Sequence, residues 1–323
     1  MPTILLEVSL IPEALALLEG FDVRGPQPRI ASPDVDLRGV NAIIISSLPP
    51  IDTAFLERAP DLRVVGRPGI GIDNIVVPDC TAAGVLVVHT PDAPTESTAE
   101  HAVALIFAIA RKLVRADTGM RTQGWAAPRG PLMGVELRGK TLGVVGLGRI
   151  GSRVAHIMGA GVGMRVVGYD PYLSPDRAAS LGVRLAPSIL DVLREADVVS
   201  LHSPATAETR HLMNAAAFAA MKPGALLVNC SRGPVVDEAA LLDALNSGQI
   251  AAVGLDVFDP EPPLPGNPLL THPNVLATPH IASFTVDGVR AMHIGAAEEV
   301  AAALRGERPR WLVNGAAWPG RPI

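Results

Sequence analysis

Nine short apolar runs rich in β-branched residues recur along this 323-residue chain, and most are followed by polar or glycine-containing residues and then by a helix-spaced pattern. They are NAIIISS (from Asn41), LRVVGRPG (Leu62), VLVVHTP (Val85), TLGVVGLG (Thr141), MRVVGYD (Met164), ADVVSLHSP (Ala196), ALLVNCSRG (Ala225), AAVGLDVF (Ala251) and NVLATPHIA (Asn274). Such alternation builds βα units, and βα units assemble into parallel sheets covered by helices. The expected fold class is α/β. The length suits two domains, each with its own core. Apolar residues make up 48% of the chain but aromatics only 3%, so those cores must be built from Val, Leu, Ile and Ala.

In open parallel sheets ligands bind at the carboxyl ends of the strands, so the residues just after each run are where chemistry is sought. In order these are Arg67 and Gly69, His89 and Thr90, a glycine turn, Asp170, His202 to Pro204, Ser231 to Gly233, Asp256 and His280. The turn lies in LGVVGLGRIGSRVAHIMGAGVGMRVVGYD, Leu142 to Asp170, which reads as strand, turn, helix, strand and a terminal acid. Gly146 permits a tight turn, Gly148 lets backbone approach a pyrophosphate, and Gly151 lets the helix pack close to the strand. Asp170, nineteen residues after Gly151, is placed to accept hydrogen bonds from the adenosine ribose. A carboxylate there repels a 2′-phosphate, and Pro171 and Tyr172 supply no guanidinium, so the expected cofactor is NAD rather than NADP. The alternatives are a glycine-rich packing turn and a surface aspartate ending a strand.

This nucleotide motif begins only after 140 residues. Two helical patterns explain why: Ser97 to Asp117, opened by a capping box of Ser97 and Glu100 and closed by Arg111, Lys112 and Arg115, and a second from about Val286 to Leu304. If both connect domains, residues 1–98 and 290–323 form a discontinuous substrate domain, flavodoxin-like, with a dinucleotide-binding domain at 99–289 inserted in it. The stretch Thr122 to Lys140 lacks clear periodicity and reads either as a subunit-contact arm or as a surface excursion.

A formal charge of −5 offers no basic field for nucleic acid or acidic membranes. Cys80 and Cys230 make no disulfide framework and no paired zinc spacing, which fits a reducing, cytoplasmic setting without a metal. The N-terminus carries Glu7, Pro12 and Glu13 and does not read as a signal peptide. The longest apolar stretch, Ala102 to Ala110, is about half the ~20 residues of a membrane span.

Three ionisable residues stand out at strand ends. Arg232 can hold a carboxylate through two parallel hydrogen bonds, Glu261 lies in a proline-rich loop, and His280 follows another strand. Together they match a cation, an orienting acid and a proton donor. The alternatives are that Arg232 caps a helix or pairs with Asp237, that Glu261 is a solvated charge, and that His280 satisfies backbone carbonyls. His89, His101, His156, His211, His272 and His293 are read in that structural sense.

The chain resembles the D-isomer-specific 2-hydroxyacid dehydrogenase family, which includes phosphoglycerate dehydrogenases and glyoxylate/hydroxypyruvate reductases. The motifs that carry the resemblance are VGRPGIGIDNI from Val65, STAEHAVAL from Ser97, GLGRIG from Gly146, YDPY from Tyr169, LHSPATAETRHLM from Leu201, NCSRGPVVDE from Asn229, GLDVFDPEP from Gly254 and TPHIAS from Thr278. It implies Arg232, Glu261 and His280 as catalytic residues. It implies cofactor contacts at Gly146, Gly148, Arg149, Ile150, Gly151, Asp170, His202, Ser203, Pro204, Cys230, Ser231, Arg232, Asp256, His280 and Ser283, with Asp256 holding the nicotinamide amide. Substrate contacts fall on Arg67, Gly69, Ile70 and Gly71 with Arg232 and His280, in a cleft between the domains. The implied reaction is reversible hydride transfer to a small 2-keto acid, with His280 as acid and base, in a homodimer. Pro94 and Thr95 replace the family's usual Asn-Ala, and Phe284 is an uncommon bulky residue. The C-terminal regulatory domain of longer phosphoglycerate dehydrogenases is not expected, and with it serine-type feedback is not expected. The rival reading is a nicotinamide-sensing protein of the same fold without turnover.

Overall fold

The computed structural model describes residues 1–46, 49–126 and 128–318. Ser47 of the first run, Ala127 of the aperiodic stretch and the last five residues of the expected substrate domain lie outside the described residues. The chain divides into two compact units, one made of residues up to 94 and from 284 onward, the other of 95–283. The divisions fall a few residues from the expected 98/99 and 289/290.

In the first unit, strands β1 (Thr3–Leu6), β2 (Asp22–Arg24), β3 (Val40–Ile44), β4 (Val64–Arg67) and β5 (Leu86–His89) form one all-parallel sheet in the order β2-β1-β3-β4-β5. This is the flavodoxin-like doubly wound order. Helices α1 (Pro12–Ala16), α2 (Thr53–Arg58) and α3 (Val77–Ala82) connect the strands. The long helix Val286–Leu304 spans the expected range and buries Ala296, Ala297, Val300 and Leu304 in a cluster with Ile44, Val64 and Val88. Gly66 makes room for it, since a Cβ there would meet Val300 Cγ2 at 2.5 Å. The outer edge of β5 is covered by the segment near Leu312, and the buried Asn314 amide accepts from Val87 N at 2.8 Å. A covered edge does not template aggregation.

The second unit holds β6 (Thr141–Val145), β7 (Arg165–Tyr169), β8 (Arg184–Leu185), β9 (Val198–Leu201), β10 (Ala225–Asn229), β11 (Ile250–Leu255) and β12 (Val275–Ala277). All pairings are parallel, in the order β12-β11-β10-β9-β6-β7-β8. The winding reverses between β6 and β9, which is the switch point of a dinucleotide-binding sheet. Its helices are α4 (Thr95–Ala110), α5 (Leu113–Gln123), α6 (Arg149–His156), α7 (Pro175–Ser180), α8 (Ile189–Glu195), α9 (Ala215–Ala220) and α10 (Glu238–Asn246). Leu105 and Ile106 of α4 and Val154 of α6 pack in one core cluster with Leu142, Val144 and Val228, and Leu193, Phe218 and Leu241 pack in another with Val199 and Leu227.

The single helix expected from Ser97 to Asp117 is two helices. Lys112 adopts φ 52°, a left-handed conformation that ends one helix and starts the next. Helix α4 also begins at Thr95, so Ser97 and Glu100 lie inside it rather than at its cap. Helix α5 buries none of its side chains.

Candidate active site

Neighbouring strands β10, β11 and β12 deliver Arg232, Glu261 and His280 from the loops at their carboxyl ends. With strands about 4.8 Å apart, these loops start within roughly 10 Å of one another. His280 Nδ1 is hydrogen-bonded to Glu261 Oε1, and the two side chains are 38% and 39% exposed. Engagement of Nδ1 leaves Nε2 as the ring nitrogen able to exchange a proton with a reactant.

His280 adopts φ 52°, a strained conformation for a residue with a Cβ. Asp256 holds it there. His280 N donates to the Asp256 and Thr278 carbonyls at 2.9 and 3.1 Å. Ile281 N and Ala282 N donate to the two Asp256 carboxylate oxygens, each at 2.9 Å. The Thr278 hydroxyl donates to Asp256 Oδ1 at 2.6 Å, and His101 Nε2 reaches Thr278 Oγ1 at 3.1 Å and Asp256 Oδ1 at 3.6 Å. Asp256 is 0% exposed. A buried carboxylate requires such donors, and they convert its position into the shape of the His280 turn.

The Arg232 turn is built in the same way. Buried Asn229 donates to the Arg232 carbonyl at 2.9 Å and accepts from Ser231 N and Oγ at 3.0 and 2.7 Å. Arg232 Nη1 donates to the Ser231 carbonyl at 2.6 Å. Gly233 lies against the Phe258 carbonyl, where any Cβ would overlap it. Asp237 caps α10 through Ala239 N and Ala240 N, both at 3.1 Å. Cys230 is buried, and burial together with the Asp256 charge pushes its thiol pKa far up, so it remains a neutral thiol.

At the switch point, β6, β7 and β9 carry the remaining candidates. Gly146 has φ +87°, and a Cβ on it would come within 2.8 Å of the His202 carbonyl and 2.9 Å of Ser203 N. A Cβ on Gly151 would overlap the Gly146 carbonyl, whereas Gly148 faces open space. Gly148 is the N-cap residue of α6, followed by exposed Arg149 and half-buried Ile150. Asp170 accepts from Leu147 N and Tyr172 N, both at 2.9 Å, tying the turn to the end of β7. His202 Nε2 pairs with Ser200 Oγ at 2.8 Å, and burial lowers the histidine to about 4. Its Nδ1 and the Ser203 hydroxyl are buried without a hydrogen-bond partner among the described residues. Pro204 is exposed, Ser231 buried and Ser283 half-buried.

In the first unit, the loop after β4 is pinned to the end of β5. Gly69, at φ +136°, donates to Thr90 Oγ1 at 2.7 Å and accepts from Thr90 N at 3.0 Å. His89 Nδ1 lies 3.1 Å from the Ile70 carbonyl. Arg67 Nη1 donates to the Pro68 carbonyl, and Ile70 and Gly71 are half-buried.

The sequence reading missed Asn229, Thr278 and the part played by His101. Asn229 and Thr278 carried a signal, since each is a polar residue at or just after the end of an apolar strand, where a turn needs its backbone groups satisfied. His101 carried none, because nothing in a helix register names a residue 177 positions away.

These features fit a dinucleotide. The turn has the space where a pyrophosphate is needed, a helix N-terminus facing that space, an acid at the end of the second strand, and orphaned buried polar atoms beside the turn. The fold and the site therefore define a doubly wound, two-unit α/β protein with a nucleotide sheet that also carries an Arg, Glu and His set. Residues 103–282 match the family model described as the D-isomer specific 2-hydroxyacid dehydrogenase, NAD binding domain, and the chain belongs to that family. It is 42% identical over 273 residues to a D-3-phosphoglycerate dehydrogenase of Archaeoglobus fulgidus, covering 84% of this chain and 51% of that protein. The chain spans about half the length of such relatives. Among solved structures it is similar to an NADPH-dependent glyoxylate/hydroxypyruvate reductase of Sinorhizobium meliloti in complex with NADP and malonate, with TM-score 0.87, 33% identity and coverage of 100% and 99% of the two chains. It is also similar to a D-lactate dehydrogenase of Aquifex aeolicus complexed with NAD and lactic acid, with TM-score 0.82, 29% identity and coverage of 94% and 96%.

Proposed function

We propose that this protein is an NAD-dependent D-2-hydroxyacid dehydrogenase that interconverts a small 2-keto acid and its 2-hydroxy acid. The observation that carries the reading is the hydrogen bond between Glu261 and the Nδ1 of a conformationally strained His280, at the carboxyl end of a dinucleotide sheet. NAD, when held at the glycine turn and Asp170, would supply hydride at nicotinamide C4 for reduction and accept it for oxidation. His280, fixed through Nδ1, gives a proton from Nε2 to the keto oxygen in reduction and takes it back in oxidation. Arg232 binds the substrate carboxylate and stabilises the charge that develops on the keto oxygen. Glu261 orients the imidazole. Arg67, Gly69, Ile70 and Gly71 contribute to binding the substrate carboxylate. Asp170 selects NAD over NADP by repelling a 2′-phosphate.

The names of the relatives support an enzyme over a nicotinamide sensor. The assembly we favour is a homodimer. Helix α5 has no buried residue and exposes Leu113, Val114 and Met120, while Trp125 and Met133 beyond it are each 78% exposed. So many exposed apolar side chains within one stretch of chain support an interface there. A cytoplasmic location is favoured because Cys80 and Cys230 are free, buried thiols. Among the described residues no helix is long and apolar enough to cross a membrane.

The test is NADH oxidation with glyoxylate, hydroxypyruvate, its 3-phosphate and pyruvate. Turnover with at least one, lost in His280→Gln, is expected. Tight NADH binding with no turnover across the set overturns the enzyme reading.

A further inference from the structure

The loop that presents Glu261 has little to hold its own shape beyond a hydrogen bond from Asn267 N to the Leu264 carbonyl at 3.1 Å. Between Asp259 and Asn267 it reads PEPPLPG, and four of these seven residues are prolines, which offer no backbone N–H. Glu261 itself is exposed, as are Pro260, Pro262, Leu264, Pro265 and Gly266. Yet its carboxylate must meet one nitrogen of one imidazole.

Both stems of this loop end on a single side chain. Glu238, the first residue of α10, accepts from Asp259 N through Oε1 at 2.9 Å and from Asn267 Nδ2 through Oε2 at 2.8 Å. Asn267 is in turn fixed by its own Oδ1, which accepts from Leu269 N at 3.0 Å at the head of the short turn Pro268–Thr271. Arg210 adds an ion pair to Asp259 at 3.4 Å. Glu238 closes the segment that starts at Asn229 and carries Arg232, and Gly233 of that segment lies against the Phe258 carbonyl. One stretch of chain thus presents the substrate-binding cation and clamps the loop of the histidine's acid.

We propose that Glu238 is a positioning residue for the reaction: its carboxylate clamps both stems of the 259–267 loop and so sets where Glu261 meets His280. The inference rests on the dehydrogenase reading for its kinetic consequence but not for its structural one.

The chemistry allows a reciprocal test. In Glu238→Gln one oxygen still accepts from Asp259 N, but the amide nitrogen now faces the Asn267 amide nitrogen, donor against donor. In Asn267→Asp two carboxylates face each other. In the double variant the new amide at position 238 donates to one oxygen of the new carboxylate at position 267, while the other oxygen still accepts from Leu269 N, so both stems are held again.

Each single variant is expected to lower kcat for keto-acid reduction by about 10-fold to 10²-fold, the range for a sub-ångström to ångström misplacement of a catalytic group. The KM for NADH should change less than kcat, because Glu238 holds the 259–267 loop rather than the glycine turn. The double variant should recover most of the lost kcat. Independently of turnover, the imidazole nitrogen signals of His280, assigned by their absence in His280→Gln, should move in each single variant toward their position in Glu261→Gln and return in the double. Singles that leave kcat and the His280 signals unchanged, or a double no better than the worse single, overturn the proposal. A wild-type chain that turns over no 2-keto acid refutes the enzyme reading instead, and the imidazole signals still decide the clamp.

Discussion

His202 ties the nucleotide turn to the stability of its sheet, and that coupling should be visible as a pH dependence. Burial holds this histidine at about 4 against an ordinary 6.5, with Nε2 on Ser200 Oγ and Nδ1 enclosed. A histidine whose folded pKa is depressed is kept neutral by the fold, whereas the unfolded chain protonates it freely. Stability is therefore full above the unfolded value, declines as pH falls below about 6.5, and stops declining below about 4. For one site with these two values the loss between pH 7.5 and 5.0 is about 2 kcal/mol, rising to about 3 kcal/mol at pH 4. His293, in the other unit and also lowered by burial, titrates in the same direction, so the measurement has to be a difference. Urea unfolding of the wild type and of His202→Gln at pH 7.5, 6.0 and 5.0 supplies it. The variant retains a polar group for Ser200 but no proton site, so the wild type should lose about 2 kcal/mol more than the variant over that interval. Parallel pH dependences would refute the reasoning, and so would a His202 imidazole signal that titrates near 6.5 in the folded protein.

Four further outcomes follow from the site. Arg232→Lys keeps the charge but loses the fork, so kcat/KM should fall by about 10²-fold or more in steady-state assays while NADH binding, followed by fluorescence, survives. Gly148→Ala, whose Cβ enters open space, should leave the thermal midpoint unchanged yet weaken NADH binding, whereas Gly151→Ala, whose Cβ overlaps the Gly146 carbonyl, should lower both stability and NADH affinity by at least about 10-fold in the relevant equilibrium constant. Asp170→Ala should narrow the ratio of kcat/KM for NADH over NADPH, and equal ratios in wild type and variant would remove Asp170 from cofactor choice. If the proposed homodimer forms through α5, Leu113→Asp combined with Met120→Asp should shift sedimentation velocity toward the monomer without loss of helix content, and a wild type that sediments as a monomer would overturn that assembly.

Where the chain wrote its structure in periodic apolar runs, it was legible. All nine runs are strands, and the doubly wound architecture follows from their alternation with helices. The strands that escaped are β1, whose run Thr3–Leu6 was weighed only as part of the N-terminal segment, and β2 and β8, edge strands of three and two residues too short to show a period. The break at Lys112 escaped for another reason: a lysine in the left-handed region has no residue-type signature, and its cationic neighbourhood reads equally well as the end of one long helix.

The candidate site was legible as residue types at strand ends, and its construction was not. Asp256 illustrates the difference. From sequence it is an acid after an apolar strand, as Asp170 is, and both were read as cofactor contacts. In the structure Asp170 lies at a half-buried turn, with two backbone donors, whereas Asp256 is fully enclosed and receives two backbone N–H groups and the Thr278 hydroxyl. That donor set exists only because the chain bends back through a left-handed His280, and the bend persists only because the carboxylate collects the donors. Neither half is favourable alone: an enclosed carboxylate without donors costs several kcal/mol, and a left-handed histidine about 1–3 kcal/mol. A cooperative pair of this kind has no one-residue signal, yet it fixes the turn from which His280 meets Glu261. Asp256→Asn, which turns one acceptor into a donor facing a backbone N–H, should therefore disturb the His280 turn even in the absence of cofactor.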